Sequence, residues 1–295
     1  MPTGIWLRKR LTLGSFGRKI ENYVSGNSGA DGESGTDTAG STAAPSDLMA
    51  GREMPGDFVQ FNVGGVEEAV ALACRFKAGG RYRYFRGQRD ATWPVTSSFA
   101  RQNPADRVRA RDEIGAFAGW VSGAGRLVPY LTTDDKIIAA AQHHQITHTT
   151  FIDFSTDPVV AGWFATDGGV KGEEGAIYLV DPDEIGGIFE AISRSGPVLR
   201  FITPDVPNLW RLQAQSGVFL EAQCNIAHIW PLDRIVFPQT GAMPQVDRRR
   251  IYPDRRSHLE QMIEDYKRQR TQGERPSQPD RNHRSAPFPN RASPR

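Results

Sequence analysis

The sequence predicts an α+β fold: a single globular domain over residues 55–270 between two disordered arms. Three observations predict it. Helical periodicity and short apolar strand-like runs are both present, and they do not alternate in the regular way that implies a doubly wound parallel sheet. The stretch SGNSGADGESGTDTAGSTAAPSD is rich in Gly, Ser, Thr and Ala and has no apolar period. It cannot bury enough surface to offset chain entropy, so residues 1–54 read as a disordered basic N-terminus and linker. The Pro- and Arg-rich end, residues 271–295, reads as a disordered tail.

Taken in order, VEEAVALACRFKA places Val66, Ala69, Val70, Ala73 and Phe76 at helical spacing. RYRYFRG follows as a strand closed by Gly87. On a strand Tyr82, Tyr84 and Arg86 point one way, and Arg83 and Phe85 the other. PADRVRARDEIGAFAGWV predicts a helix with Pro104 in the permitted first turn. TTDDKIIAAAQHH predicts another, capped by Thr132 or Thr133 with two acids in its first turn. TTFIDFS is a short apolar strand that runs into TDPVVAGWFAT, a helix capped by Asp157 with Pro158 at its first position. GAIYLVD is a strand bounded by Gly175 and Asp181-Pro182, and PVLRFIT, LQAQSGVFLEA and DRIVFP are further strands. The last helix, SHLEQMIEDYKRQR, opens with a capping box of Ser257 and Glu260. No internal repeat is present.

Composition narrows the function classes. The formal net charge of +2 rules out polyanion binding by bulk charge, although arginines accumulate after Arg248. That Arg-rich end leaves nucleic-acid contact open beside a plain solvated helix face and solubilising tail. Two lone thiols, Cys74 and Cys224, fit a reducing, cytoplasmic compartment and argue against a disulfide framework or a Cys-rich zinc site. No apolar run is long enough for a membrane span, so no membrane partner is expected. The first twenty residues are basic without the apolar core of a signal peptide, which leaves a weak surface-binding or targeting role open.

Several residues could carry chemistry. Arg86 follows aromatic residues and precedes Gly87, which would let a ligand or another backbone approach. Its fork suits a phosphate or ribose, and pairing with a carboxylate at a sheet edge is the alternative. Asp153, Ser155, Thr156 and Asp157 lie where a strand runs into a capped helix; small hydroxyls there either contact a sugar or serve as turn chemistry. His143, His144 and His148 lack an HExxH pattern, so no metal is expected, and histidines closing a helix are otherwise cations at its C-terminus. On a straight strand Gln213, Gln215, Phe219 and Glu221 share a face, with Gly217 as a bend or bulge. Gln215 cannot take up a proton at neutral pH, whereas Glu221 can. Phosphate-binding glycine loops, GxSxG and a recognisable cysteine nucleophile motif are all absent.

Together and in this order these elements resemble the FRG domain family, over roughly residues 58–266. Phe85-Arg86-Gly87 matches the motif that gives the family its name, continued by Gln88. Gln142-His143-His144, the run Thr149 to Ser155, the helix DPVVAGWFA and RLQAQSGVF match its later hallmarks. Gln145 stands where the family has glycine, a proline is missing near His148, and about one residue is inserted there. The order of motifs also resembles, more distantly, the ADP-ribosyltransferase superfamily.

That second resemblance implies an ADP-ribosyltransferase-like arrangement of mixed sheets and an enzyme that transfers ADP-ribose from NAD or hydrolyses it, as toxins or phage-defence effectors do. NAD would be the substrate, and a protein, a nucleic acid or water the acceptor. Arg86 would hold the phosphates or ribose, Ser155 or Thr156 would order the site, and Gln215 would fall where the catalytic glutamate belongs. Tyr84, Phe85, Gly87, Gln88, His143 and Asp153 would complete the nucleotide site. A glutamine there can bind a ribose hydroxyl but stabilises cationic charge less, so Glu221, Asp153 or a histidine would have to supply the carboxylate's role. The alternative from a different class is a non-catalytic nucleotide-binding or protein-interaction module.

Overall fold

The computed structural model describes residues 58–125, 129–183, 185, 199–222, 232–240, 243 and 246–272. The arm expected over residues 1–54, the expected tail from residue 273 onward, and Cys224 lie outside these residues; Thr271, placed in the tail by the sequence reading, is the last residue of the final helix. One mixed sheet holds seven strands: β1 (Gln60–Asn62), β2 (Tyr84–Gln88), β3 (Phe151–Ser155), β4 (Glu174–Val180), β5 (Leu199–Ile202), β6 (Gly217–Ala222) and β7 (Asp233–Pro238). Their order across the sheet is β1-β7-β4-β2-β3-β6-β5. Only β1 and β7 run parallel; every other neighbouring pair is antiparallel. Seven helices accompany the strands among the described residues: α1 (Val66–Ala78), α2 (Pro104–Gly123), α3 (Asp134–His143), α4 (Pro158–Thr166), α5 (Trp210–Ala214), α6 (Arg248–Ile251) and α7 (His258–Thr271). The fold is α+β, and none of these helices is long and apolar enough to cross a membrane.

The caps explain the helix starts. Asn103, Thr133 and Asp157 each accept a backbone N–H in the first turn of α2, α3 and α4. Ser257 and Glu260 close a capping box on α7. Alternation along the strands then divides the core. On one face, α1 and α4 cover Phe85, Ile177, Leu179, Ile235 and Phe237. Further along, α2, α3 and α7 pack around Phe151 and Phe219. On the opposite face, Tyr178, Val180, Ile152 and Leu220 gather with Val95 and Leu232. Full burial of a phenylalanine such as Phe85 stabilises the fold by about 1.5–3 kcal/mol relative to exposure.

Two glycines set how closely α4 lies. A Cβ on Gly87 would sit 1.9 Å from the Ala161 carbonyl oxygen, and one on Gly162 2.2 Å from Val70 Cγ2. The strand therefore presses its bare backbone on α4, and α4 presses its own against α1. This revises the reading of Gly87 as the residue that closes the strand: β2 continues to Gln88, and Gly87 pairs with Ile177.

Two other expectations change. Tyr82 does not share a face with Tyr84, because the strand begins only at Tyr84. Tyr82 packs in the cluster around Phe85 and donates its hydroxyl to the Asp233 carboxylate. LQAQSGVFLEA is not one strand. Its first part is α5, the chain reverses at Ser216 in the left-handed region (φ 47), and β6 starts at Gly217. The cause is local: Leu212 folds back over Gly217, where a Cβ would meet Leu212 Cδ1 at 2.3 Å.

Candidate functional site

The centre of the sheet contains a seam. β2 and β3 are joined by the single register pair Phe85 and Ser155. Beyond that pair β2 bonds only to β4, and β3 only to β6. A cavity of about 770 Å³ is lined by both strands at this seam. The volume lies in the range of ordinary small-molecule sites.

Arg86 reaches across the seam. Its guanidinium donates to the Asp153 carbonyl at 2.7 Å and its Nε to Gln88 Oε1 at 3.2 Å. Burial lowers its proton affinity from the ordinary arginine value; Asp153 opposes this and Arg101 adds to it. An arginine keeps its charge under such a shift. Buried Gln88 passes the connection on, donating Nε2 to the Trp93 carbonyl at 2.9 Å. Across the seam, the Asp153 carboxylate accepts from Gln142 Nε2 at 3.0 Å. The Thr149 hydroxyl donates to Gln142 Oε1 and accepts from the Phe151 N–H. Both sides of the cavity are therefore fixed by side-chain amides that use donor and acceptor at once.

The residues named from sequence divide into two groups. Phe85, Arg86, Gly87, Gln88, His143, Asp153, Ser155 and Gln215 line the cavity. Tyr84, Thr156 and Glu221 do not. Tyr84 packs on Phe201 in the cluster of the opposite face, with ring centroids 4.7 Å apart. Thr156 donates its N–H to the Ser216 carbonyl. Glu221 lies opposite Arg200 on β5 and binds its Nε at 2.8 Å, while the same guanidinium grips Asp135 at 2.6 Å. Glu221 is thus engaged by Arg200, which also holds Asp135, outside the cavity lining.

Ser155 and Gln215 are neighbours, but through the backbone. The Ser155 hydroxyl donates to the Gln215 carbonyl at 2.8 Å and accepts from the Asp157 N–H at 2.9 Å. Its hydrogen is committed to holding the end of β3 to the turn before β6. Gln215 is the C-cap of α5, not a strand residue, and its amide donates to the Ile251 carbonyl at 3.2 Å.

The histidines at the end of α3 are not helix-end cations. His143 is buried edge-on to Phe219, and burial, with Arg211 and His144 nearby, pushes its pKa down to about 3. His144 is also buried and lowered by burial, opposed by its bond to Glu264 at 3.1 Å. After them Gln145, where the resemblance expects glycine, adopts the left-handed conformation at φ 53 that glycine accepts more readily.

Sequence reasoning missed Arg211, Arg89, Trp93 and Tyr252, which also line the cavity. Arg211 stacks over Tyr252 at 4.3 Å, and its buried Nε has no hydrogen-bond partner. Arg89 lies 4.8 Å from the Trp93 ring centroid. Arg211 stood in the quoted RLQAQSGVF stretch, but nothing local in the sequence places the first turn of α5 beside β2. Among the described residues, Arg86, Arg89 and Arg211 form no ion pair, whereas the lining residue Glu113 is paired with Arg270. Three unneutralised guanidinium groups on one cavity suit an anion, and tyrosine and tryptophan faces beside them suit a planar ring.

Comparison with known families agrees with the motifs. Residues 81–174 match the family model of the FRG domain. The match runs from Arg81, before β2, to Glu174, the first residue of β4, and ends before α5 and β6. No curated protein and no solved structure matches the chain.

Proposed function

We propose that the chain is an NAD-consuming enzyme of the ADP-ribosyl-transfer type, with its substrate seated at the seam between β2 and β3. The observation that carries the proposal is the set of cavity guanidinium groups that form no ion pair among the described residues, Arg86 foremost. Arg86 and Arg211 would hold the pyrophosphate of NAD by charge-assisted hydrogen bonds. The orphaned Nε of Arg211 supports the fit, because a buried donor gains most from an acceptor brought by a ligand. Of the two lining aspartates, Asp153 and Asp167, Asp153 lies on the seam strand and is held in place by Gln142, so it is assigned to steady the ribosyl cation. The glycosidic bond between ribose C1′ and nicotinamide breaks, and nicotinamide leaves with the bonding electrons. The oxygen of water or of an acceptor hydroxyl bonds to C1′, and its proton passes to Asp153.

The test is nicotinamide release from NAD by the purified chain, with and without cell extract as a source of acceptor. Asp153→Asn is expected to lower the rate on the order of 100-fold while NAD still binds. A folded protein that binds NAD and releases nothing under either condition would refute the enzyme. It would favour the second reading, a non-catalytic nucleotide-binding module. That reading has its own observation: Gln215 is neutral and hydrogen-bonded to Ile251, and the one carboxylate on β6 is tied up by Arg200.

A further inference from the structure

We infer that Trp93 is the platform on which the ligand's aromatic base stacks, so that the cavity selects a nucleotide over a bare polyphosphate. The inference rests on the nucleotide reading above and deepens it. Trp93 is one of the few large apolar side chains left open, at 44% exposure, and it lines the same cavity as Arg86. An exposed indole on a cavity wall has one face to offer a planar ring. The other face is occupied, because the Arg89 guanidinium carbon sits 4.8 Å from the ring centroid. A cation on the rear of an indole holds the ring in one orientation.

The loop that carries Trp93 is built, not loose. The Asp90 carboxylate accepts from the Thr92 N–H at 2.8 Å and from its hydroxyl at 2.6 Å. The Trp93 N–H donates to the Asp90 carbonyl at 3.3 Å, closing a turn. The Trp93 carbonyl is fixed by Gln88 Nε2, and Gln88 Oε1 is in turn fixed by Arg86 Nε. One buried glutamine thus sets the spacing between the cation that would meet a phosphate and the ring that would meet a base. Gln88 is a positioning residue in this arrangement. A sugar phosphate or pyrophosphate would use the arginine end alone; a nucleotide would use both ends.

The experiment is titration calorimetry of ADP, nicotinamide mononucleotide and inorganic pyrophosphate against the full chain and three variants. Stacking on an aromatic side chain is worth about 1–3 kcal/mol per base, or on the order of 5- to 150-fold in affinity. Trp93→Ala is expected to weaken at least one of the two base-bearing ligands by that factor and to leave pyrophosphate within about twofold. Trp93→Phe, which keeps a ring with little change in the fold, is expected to restore most of the loss. Arg86→Ala is expected to weaken all three ligands. If Trp93→Ala leaves both base-bearing ligands unchanged, or weakens pyrophosphate as much as either, the platform is wrong while the nucleotide reading stands. If the folded wild-type chain binds none of the three, that reading fails and the platform with it.

Discussion

A histidine kept neutral inside the cavity wall makes a pH prediction at the scale of one residue. Burial in the folded chain holds the His143 pKa down at about 3, against 6.5 for an ordinary histidine. Below pH 6.5 the unfolded chain therefore binds a proton that the folded chain refuses, and stability falls as pH drops towards 3. From this group alone the loss between pH 7 and pH 5 is about 2 kcal/mol. Urea unfolding at the two pH values measures it. His143→Gln is expected to shrink the measured difference by about that amount, leaving the part owed to His144, which burial also lowers; an unchanged difference in the variant would show that the proton linkage lies elsewhere. His143 was legible as a helix-end residue but not as a neutral one, because its burial comes from Phe219 on a distant strand. The same holds across the candidate site. Arg86, Gln88 and Asp153 stood out as polar residues within or beside strand-like runs. Trp93 and Arg211 are placed by a loop and by a short helix from remote sequence, and no period marks them.

At the scale of elements, the join between β2, α4 and α1 is the most demanding piece of packing. Gly87→Ala would drive a methyl into the backbone of α4, 1.9 Å from the Ala161 oxygen. Backbone cannot move aside as a side chain can, so a loss of about 3 kcal/mol or more is expected. Gly115 is the matching control. It lies inside α2 with nothing near its Cβ direction, so Gly115→Ala is expected to stabilise by about 0.5–1 kcal/mol. Thermal unfolding of both variants checks the pair, and similar effects in the two would contradict the packing account. Most elements could be read from their caps and periods: α1, α3, α4, α7 and β7 lie where the sequence pattern put them. LQAQSGVFLEA failed because five helical residues and six strand residues meet without a proline or an acidic cap between them. Its polar and apolar alternation fits a single strand, and only the contact of Leu212 with Gly217 breaks it.

At the scale of the whole molecule, the proposed site rests on a sheet that stays continuous in order but is pinned at its middle by one pair, Phe85 with Ser155. Sequence could give an α+β class and most of the strands, since those have their own local patterns, but it did not mark β1 and it ran α5 into β6. It could not give their order, because β7, near the end of the described chain, pairs with both β1 and β4. Nor could it show that β2 and β3, joined by a single pair, would share a cavity lined by three guanidinium groups that form no ion pair among the described residues. The claim that this seam is a nucleotide site is tested most directly by titrating NAD into the wild-type chain and Arg86→Ala, at low and moderate salt. The account predicts saturable binding to the wild type that weakens as salt rises, and at least a tenfold loss in a folded Arg86→Ala, as for removal of a charge-assisted hydrogen bond. Equal affinity in the two proteins, or no binding to a folded wild type, would contradict it.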